Sequence, residues 1–271
     1  MPVFADLDLA RRLERTEAQA NALFVEARAR VAPASRAAWI ECGGAYAMFD
    51  GANSPCTQTF GLGLFEDASE TILDTLEAFF RERGAAVLHE TSPLAGTALL
   101  ELLNNRGYRP LEYTSVLYRE IGSGVAPADP SILVRIADPI TEGKLWAETA
   151  ARGWAPEQPD LMDFLRDLGS VNSARTDPLC FLAEIDGQPG ATGDMTIHNG
   201  VALFAGASTV PEMRRRGLQY ALLAARMQCA LDHGCDLAMM CAAPGSASQR
   251  NAERHGFRIA YTRVKWQKQT G

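Results

Sequence analysis

The sequence predicts an α/β (α+β) chain of two related domains, and three observations carry that prediction. Strand-like and helix-like segments alternate along all 271 residues, as expected of sheets covered by helices. A stretch rich in glycine, serine, proline and alanine, Ile121 to Pro130, breaks the alternation and shows no hydrophobic periodicity. It reads as a linker, residues 122–130, between domains 1–121 and 131–271. The segments on its two sides also repeat one another.

In chain order, Leu7 to Val31 carries Leu9, Leu13, Ala20, Leu23, Phe24, Ala27 and Val31 at helical spacing and ends before Pro33. Ala37–Phe49 and Thr57–Phe65 read as strands around the turn-rich Asp50–Pro55. Asp67 with Glu70 three residues on predicts a capped helix that buries Ile72, Leu73, Leu76, Phe79 and Phe80 and stops at Gly84. A strand near Val87, a helix over Ala95–Arg106 and a long strand over Tyr108–Glu120 complete the first half. In the second half, strands are expected at Ile132–Ile136, Cys180–Ile185, Ala191–His198, Val201–Val210, Leu237–Cys241 and Arg258–Lys268. Helices are expected at Glu142–Ala151, Asp160–Asn172, Leu218–His233 and Ser246–His255.

The repeat bears on the domain count. Arg83-Gly84, Ser92-Pro93, Asn105-Arg106-Gly107-Tyr108-Arg109 and Tyr113-Thr114-Ser115-Val116 return at nearly equal spacing in the second half. Their counterparts are His233-Gly234, Ala243-Pro244, Arg254-His255-Gly256-Phe257-Arg258 and Tyr261-Thr262-Arg263-Val264. Chance matching of short β-α-β units competes with duplication, and the shared order of elements favours duplication.

Composition narrows the function classes. With 47% hydrophobic and 22% charged residues, the chain reads as a soluble globular protein. Its longest apolar run, Leu237–Ala243, is too short to span a bilayer, and no signal-peptide core is visible, so a cytoplasmic setting is expected. The six cysteines form no CxxC pair, which favours reduced thiols over metal ligands. A net charge of −7 argues against nucleic acid as a partner.

The chemistry sits in Thr209-Val210-Pro211-Glu212-Met213-Arg214-Arg215-Arg216-Gly217-Leu218-Gln219-Tyr220. A strand ends, a turn follows, and a helix opens near Gly217 behind three consecutive arginines. Leu218, Leu222, Ala225 and Cys229 give that helix an apolar face to pack on a sheet. Its first N–H groups have no intrahelical partners and carry partial positive charge, which favours an anion there. A glycine lets that anion approach the backbone, and a pyrophosphate suits the site. A solvated arginine face is the bland alternative. A Rossmann site lacks its GxGxxG.

These residues resemble the GNAT (Gcn5-related N-acetyltransferase) superfamily, whose motif [Gln/Arg]-x-x-Gly-x-[Gly/Ala] holds the pyrophosphate of coenzyme A. Arg214 and Gly217 match, while Gln219 stands where Gly or Ala is usual. The second landmark, Ser248–Phe257, matches the short helix flanking the pantetheine and its closing Gly-Phe. The resemblance covers about residues 131–268. It implies two GNAT-like domains, each a mixed, mostly antiparallel sheet flanked by helices.

It also implies acetyl-CoA as cofactor, held by Ser208, Thr209, Val210, Arg214, Arg215, Arg216, Gly217, Leu218, Gln219, Ser248 and Asn251, with no metal. Two family positions depart from the pattern. The strand Val201–Val210 has no acidic residue, and Ala252 replaces a common tyrosine acid. Asp194 and His198 are the catalytic candidates, with Tyr220 and Tyr261 behind them, against readings as exposed strand charge, turn histidine and packed aromatics. In the first half the matching junction, Gly63-Leu64-Phe65-Glu66-Asp67-Ala68, places two acids where phosphate would sit. That copy is read as degenerate.

The function expected is transfer of an acetyl group from acetyl-CoA to an amine of a small molecule or peptide. The alternative is an acyl-CoA-binding sensor without turnover. No nucleic acid or membrane partner is expected, and a homodimer is left open.

Overall fold

The computed structural model describes residues 3–122, 128–157, 159, 162–175 and 177–269. These form two compact units, one of residues 1–119 with 239–271 and one of residues 120–238. The unit boundary near residue 120 falls where the sequence changes character. The last segment departs from the expected continuous domain 131–271, because its final strand is hydrogen-bonded into the first unit. Part of the expected linker lies outside the described residues.

In the first unit, α1 (Leu7–Val31) precedes β1 (Ala38–Cys42), β2 (Ala45–Phe49) and β3 (Gln58–Phe60). Then come α2 (Glu70–Arg81), β4 (Leu88–Thr91), α3 (Thr97–Asn105) and β5 (Tyr108–Glu120). The expected single strand 37–49 is a hairpin, because Gly43 and Gly44 both adopt positive φ, +58° and +73°, and reverse the chain. Ser69, rather than Asp67, caps α2 by accepting from the Ile72 N–H. β3 stops at Phe60, short of the expected Phe65, in the turn that begins at Gly61.

The sheet order is β1-β2-β3-β4-β11-β5, with β3–β4 parallel and the other pairs antiparallel. β11 (Arg258–Lys268) therefore lies between β4 and β5, pairing Trp266 with His89 on one side and Arg263 with Thr114 on the other. All five residues of β2 are buried. On one of its faces Ala45, Ala47 and Phe49 pack with Leu73, Leu76, Phe80, Leu103 and Trp266. Each large apolar side chain so buried contributes about 1.5–3 kcal/mol.

The opposite face carries charge. Arg263 is 1% exposed and meets Glu17 at 2.7 Å, Glu90 at 3.1 Å and Glu14 at 3.6 Å, with its guanidinium 5.1 Å from the Phe60 ring centre. The Tyr261 hydroxyl donates to Glu14 at 2.8 Å. Burial pushes the Glu14 carboxyl up to about 7, although Arg263 pulls the other way. The folded chain thus binds this proton more tightly than the unfolded chain, so the associated stability is lost as pH rises from about 4.5 to about 7. Glu14→Gln keeps an acceptor for Tyr261 and removes the titration. Its melting temperature should exceed that of the unmodified protein most at pH 8, with the gap closing toward pH 4.5; a gap independent of pH would contradict this.

The second unit begins with β6 (Ile132–Ile136), α4 (Pro139–Trp154) and α5 (Met162–Ser173). β7 (Leu179–Ile185), β8 (Gln188–His198), β9 (Val201–Thr209) and α6 (Leu218–Asp232) follow. Its strands run β9-β8-β7-β6, all antiparallel. Asp138 caps α4, so that helix starts earlier than the expected Glu142. Trp146 anchors α4 against Cys180 and Leu182, and its indole donates to the Phe181 carbonyl at 3.0 Å. β10 (Leu237–Ala242) crosses the unit boundary, and α7 (Ala247–Arg254) lies in the first unit. Among the described residues no helix is long and apolar enough to cross a membrane.

Candidate active site

The arginine-rich junction lies wholly in the second unit. After Thr209, Pro211–Met213 make one 3₁₀ turn, Arg214 is extended, Arg215 has φ +63°, and Gly217 has φ +87°. α6 then starts. No side chain caps its N-terminus, and its first turn holds no acid. By contrast, α1, α2, α4 and α7 are capped by Asp6, Ser69, Asp138 and Ser246. α3 is also uncapped, but no basic residue precedes it. The α6 terminus thus combines open N–H donors with local positive charge.

The three arginines have different jobs. Arg214 donates to the carbonyls of Thr209 at 3.2 Å and Gly153 at 2.9 Å, and pairs with Glu157 at 2.8 Å. Its side chain is a strut between the loop and the end of α4. Arg215 and Arg216 are exposed, and neither has a hydrogen bond or ion pair among the described residues. They are the cations available to a ligand.

Several of the expected binding side chains hold each other instead. Gln219 Nε2 donates to Thr209 Oγ1 at 2.7 Å, tying the first turn of α6 to the end of β9. Ser208 Oγ donates to the Ala150 carbonyl at 3.1 Å and lies 3.2 Å from Thr192 Oγ1. A Cβ at Gly153 would stand 2.3 Å from Ser208 Oγ, so a glycine in α4 permits this close approach. The Ser208, Thr209 and Gln219 side chains are therefore committed. The Val210 N–H donates to the Gly190 carbonyl at 2.9 Å and its carbonyl accepts from the Met213 N–H at 3.0 Å, so the N–H groups at the open end of α6, from Leu218 on, are what the site can offer.

Asp194 stands opposite Ala205 next to a register shift between β8 and β9. Burial raises its carboxyl above the ordinary range, against the pull of Arg175, Arg226 and the Ala205 N–H. Four strand residues, about 13 Å, separate Asp194 from His198 along β8. His198 sits at the hairpin tip, its Nε2 3.2 Å from the Asn199 amide nitrogen. These two do not meet as a catalytic pair, because strand rise sets them apart. Tyr261 is bonded to Glu14 in the first unit. Ser248 and Asn251 lie on α7, also in the first unit, and Tyr220 is half-buried in α6.

Arg226 carried no signal in the sequence. It sits on α6, 2% exposed, and its guanidinium lies 4.8 Å from the Phe204 ring centre and donates to the Asp194 carbonyl at 3.3 Å. Burial lowers it to about 10, with the Asp194 charge opposing. The buried face of α6 is Leu218, Ala221, Leu222, Leu223, Arg226, Met227 and Ala230, rotated from the expected stripe that included Ala225 and Cys229. Among the described residues no cluster of His, Cys, Asp or Glu is placed to hold a metal ion.

No protein-family model matches the chain, and no curated protein does. Solved structures do. A GCN5-related N-acetyltransferase from Kribbella flavida aligns with TM-score 0.69 at 21% identity, over 97% of this chain and 96% of that one. A tandem GNAT protein from the clavulanic acid biosynthesis pathway aligns with TM-score 0.59 at 13% identity, over 84% and 78%. A GCN5-related N-acetyltransferase from Sphaerobacter thermophilus gives 0.54 at 17% identity, over 73% and 66%. At these identities the likeness establishes the fold, which is the GNAT fold.

Proposed function

We propose that this chain is an N-acyltransferase that moves an acetyl group from acetyl-CoA to an amine of a small molecule or peptide. One observation carries the proposal: within a GNAT fold, the uncapped N-terminus of α6 opens behind Gly217, next to Arg215 and Arg216, which are exposed and have no ion pair among the described residues. The site fits a pyrophosphate on its own chemistry, offering N–H donors, two exposed guanidinium groups and no Cβ at the point of approach. The main chain of β9 would orient the arm that follows. Acetyl-CoA supplies an activated acyl thioester.

Orientation is the chief contribution we assign to the protein, since a thiolate leaves readily without a strong acid. The acceptor amine must be neutral to attack, so a group or a water chain must take its proton. Asp194 is the carboxylate we assign to the acceptor side. The surplus of acids in the chain, with net charge −7, favours a cationic acceptor. The first-half copy is read as degenerate: Ser69 already caps α2, and Glu66 and Asp67 precede it.

A thiol-release screen of acetyl-CoA against polyamines, amino acids, aminoglycosides and peptide N-termini tests the activity. Calorimetry should find one CoA per chain; two would remove the degenerate-copy reading. Binding without thiol release from any amine would favour a sensor. Asp194→Asn should lower turnover more than it weakens acetyl-CoA binding, and undiminished turnover would take Asp194 out of the site.

A further inference from the structure

β6 ends the sheet of the second unit, and among the described residues it pairs only with β7. The Ala137 N–H donates to the Cys180 carbonyl at 2.8 Å. Strand alternation therefore turns the main-chain groups of Leu133 and Arg135 toward β7. Those of Val134 and Ile136 point away from it. The Ile132 N–H, also turned outward, is taken by the Asp129 carbonyl at 3.0 Å.

Two apolar side chains of this strand, and one just beyond it, are exposed. Leu133 is 58% exposed and Ile136 47%, and Ile140 at the start of α4 is 84% exposed. An open edge is normally protected by lysine, proline or a bulge. β6 has none of these. Its one charge, Arg135, is held by Glu142 and Glu184 at 2.7 and 2.8 Å.

We propose that β6 is the interface of a homodimer, in which two copies pair their β6 strands antiparallel about a two-fold axis at Val134. The outward main-chain groups require an extended strand as occupant, and the sequence of β6 fits itself. Centring on Val134 sets Ile132 against Ile136 of the second copy and Val134 against its equivalent, so aliphatic residues meet on one face. On the other face Leu133 meets the Arg135 stem, and both Arg135 charges are already compensated. The Val134 N–H groups donate reciprocally across the axis, and each Ile136 N–H reaches the opposite Ile132 carbonyl, giving about four bonds. A two-fold contact of this kind closes on itself and does not propagate into a fibre.

Sedimentation of the full chain should give twice the monomer mass at micromolar concentration. Ile136→Lys, which sets a charge in the contact, and Val134→Pro, which removes the central donors, should both give monomers. Leu111→Lys, an equally exposed leucine on β5, should leave the dimer intact. If Val134→Pro does not fold, Ile136→Lys decides, together with amide exchange at Val134 and Ile136, which should slow as concentration rises. A wild-type monomer at all concentrations overturns the proposal, as does a dimer that survives Ile136→Lys.

Discussion

Gly217→Glu should abolish the thermal stabilisation expected of the unmodified protein with acetyl-CoA, while Gly217→Ala should keep most of it. At a ligand concentration a hundred times Kd, binding stabilises the folded state by about 2.7 kcal/mol, several degrees of melting temperature for a chain of this size. Both variants carry the penalty of a side chain at φ +87°, about 1–2 kcal/mol, so both should melt lower without ligand. Among the described residues the Cβ itself meets only Ile132 Cδ1, at 3.3 Å, and that end can shift. The two variants therefore differ chiefly in the carboxylate, which sits where an anion should bind. Equal ligand shifts in the Glu variant and the wild type would move the cofactor away from α6.

Arg263→Met should be the most destabilising single change in the first unit, by about 3–5 kcal/mol in urea denaturation at pH 8. Removing one partner of a buried ion pair leaves the other charge uncompensated. Here the guanidinium serves Glu14, Glu17 and Glu90 together, and Lys265 reaches only Glu90 among them, at 3.3 Å. Methionine fills similar space beside Phe60 but supplies no charge. At pH 5 the stranded carboxyls can take up protons, so the loss should shrink. A loss below about 1 kcal/mol at pH 8 would mean that solvent replaces the arginine, contrary to a site that is 1% exposed.

Much of this was legible in the residues themselves. Helical periodicity located α1 and α2, and the strand–arginine–glycine–helix order located the α6 terminus, because both signals are local. The roles within the arginine triplet were not legible. Arg214 turns to the Gly153 carbonyl and Glu157, which lie far back in the chain. Nor was the commitment of Gln219 to Thr209, which ties the first turn of α6 to the end of β9. Arg226 carries no sequence signal, because a charged residue is not expected on a buried helical face. Gly43-Gly44 was a hairpin signal that the continuous apolar run around it concealed.

The placement of β11 has a consequence for how the protein is made. Residues 1–119 leave the ribosome first, yet their sheet lacks the strand that separates β4 from β5 until residue 268 has been synthesised. While the second unit is being translated, the nascent first unit waits with two unpaired strand edges, which are open to wrong partners. Its completion depends on contacts between residues more than a hundred positions apart, and such distant pairing is slow. The second unit, a continuous segment, has no such dependence and can fold first. Biogenesis of this chain should therefore run against the usual N-to-C order, with the first unit closing last.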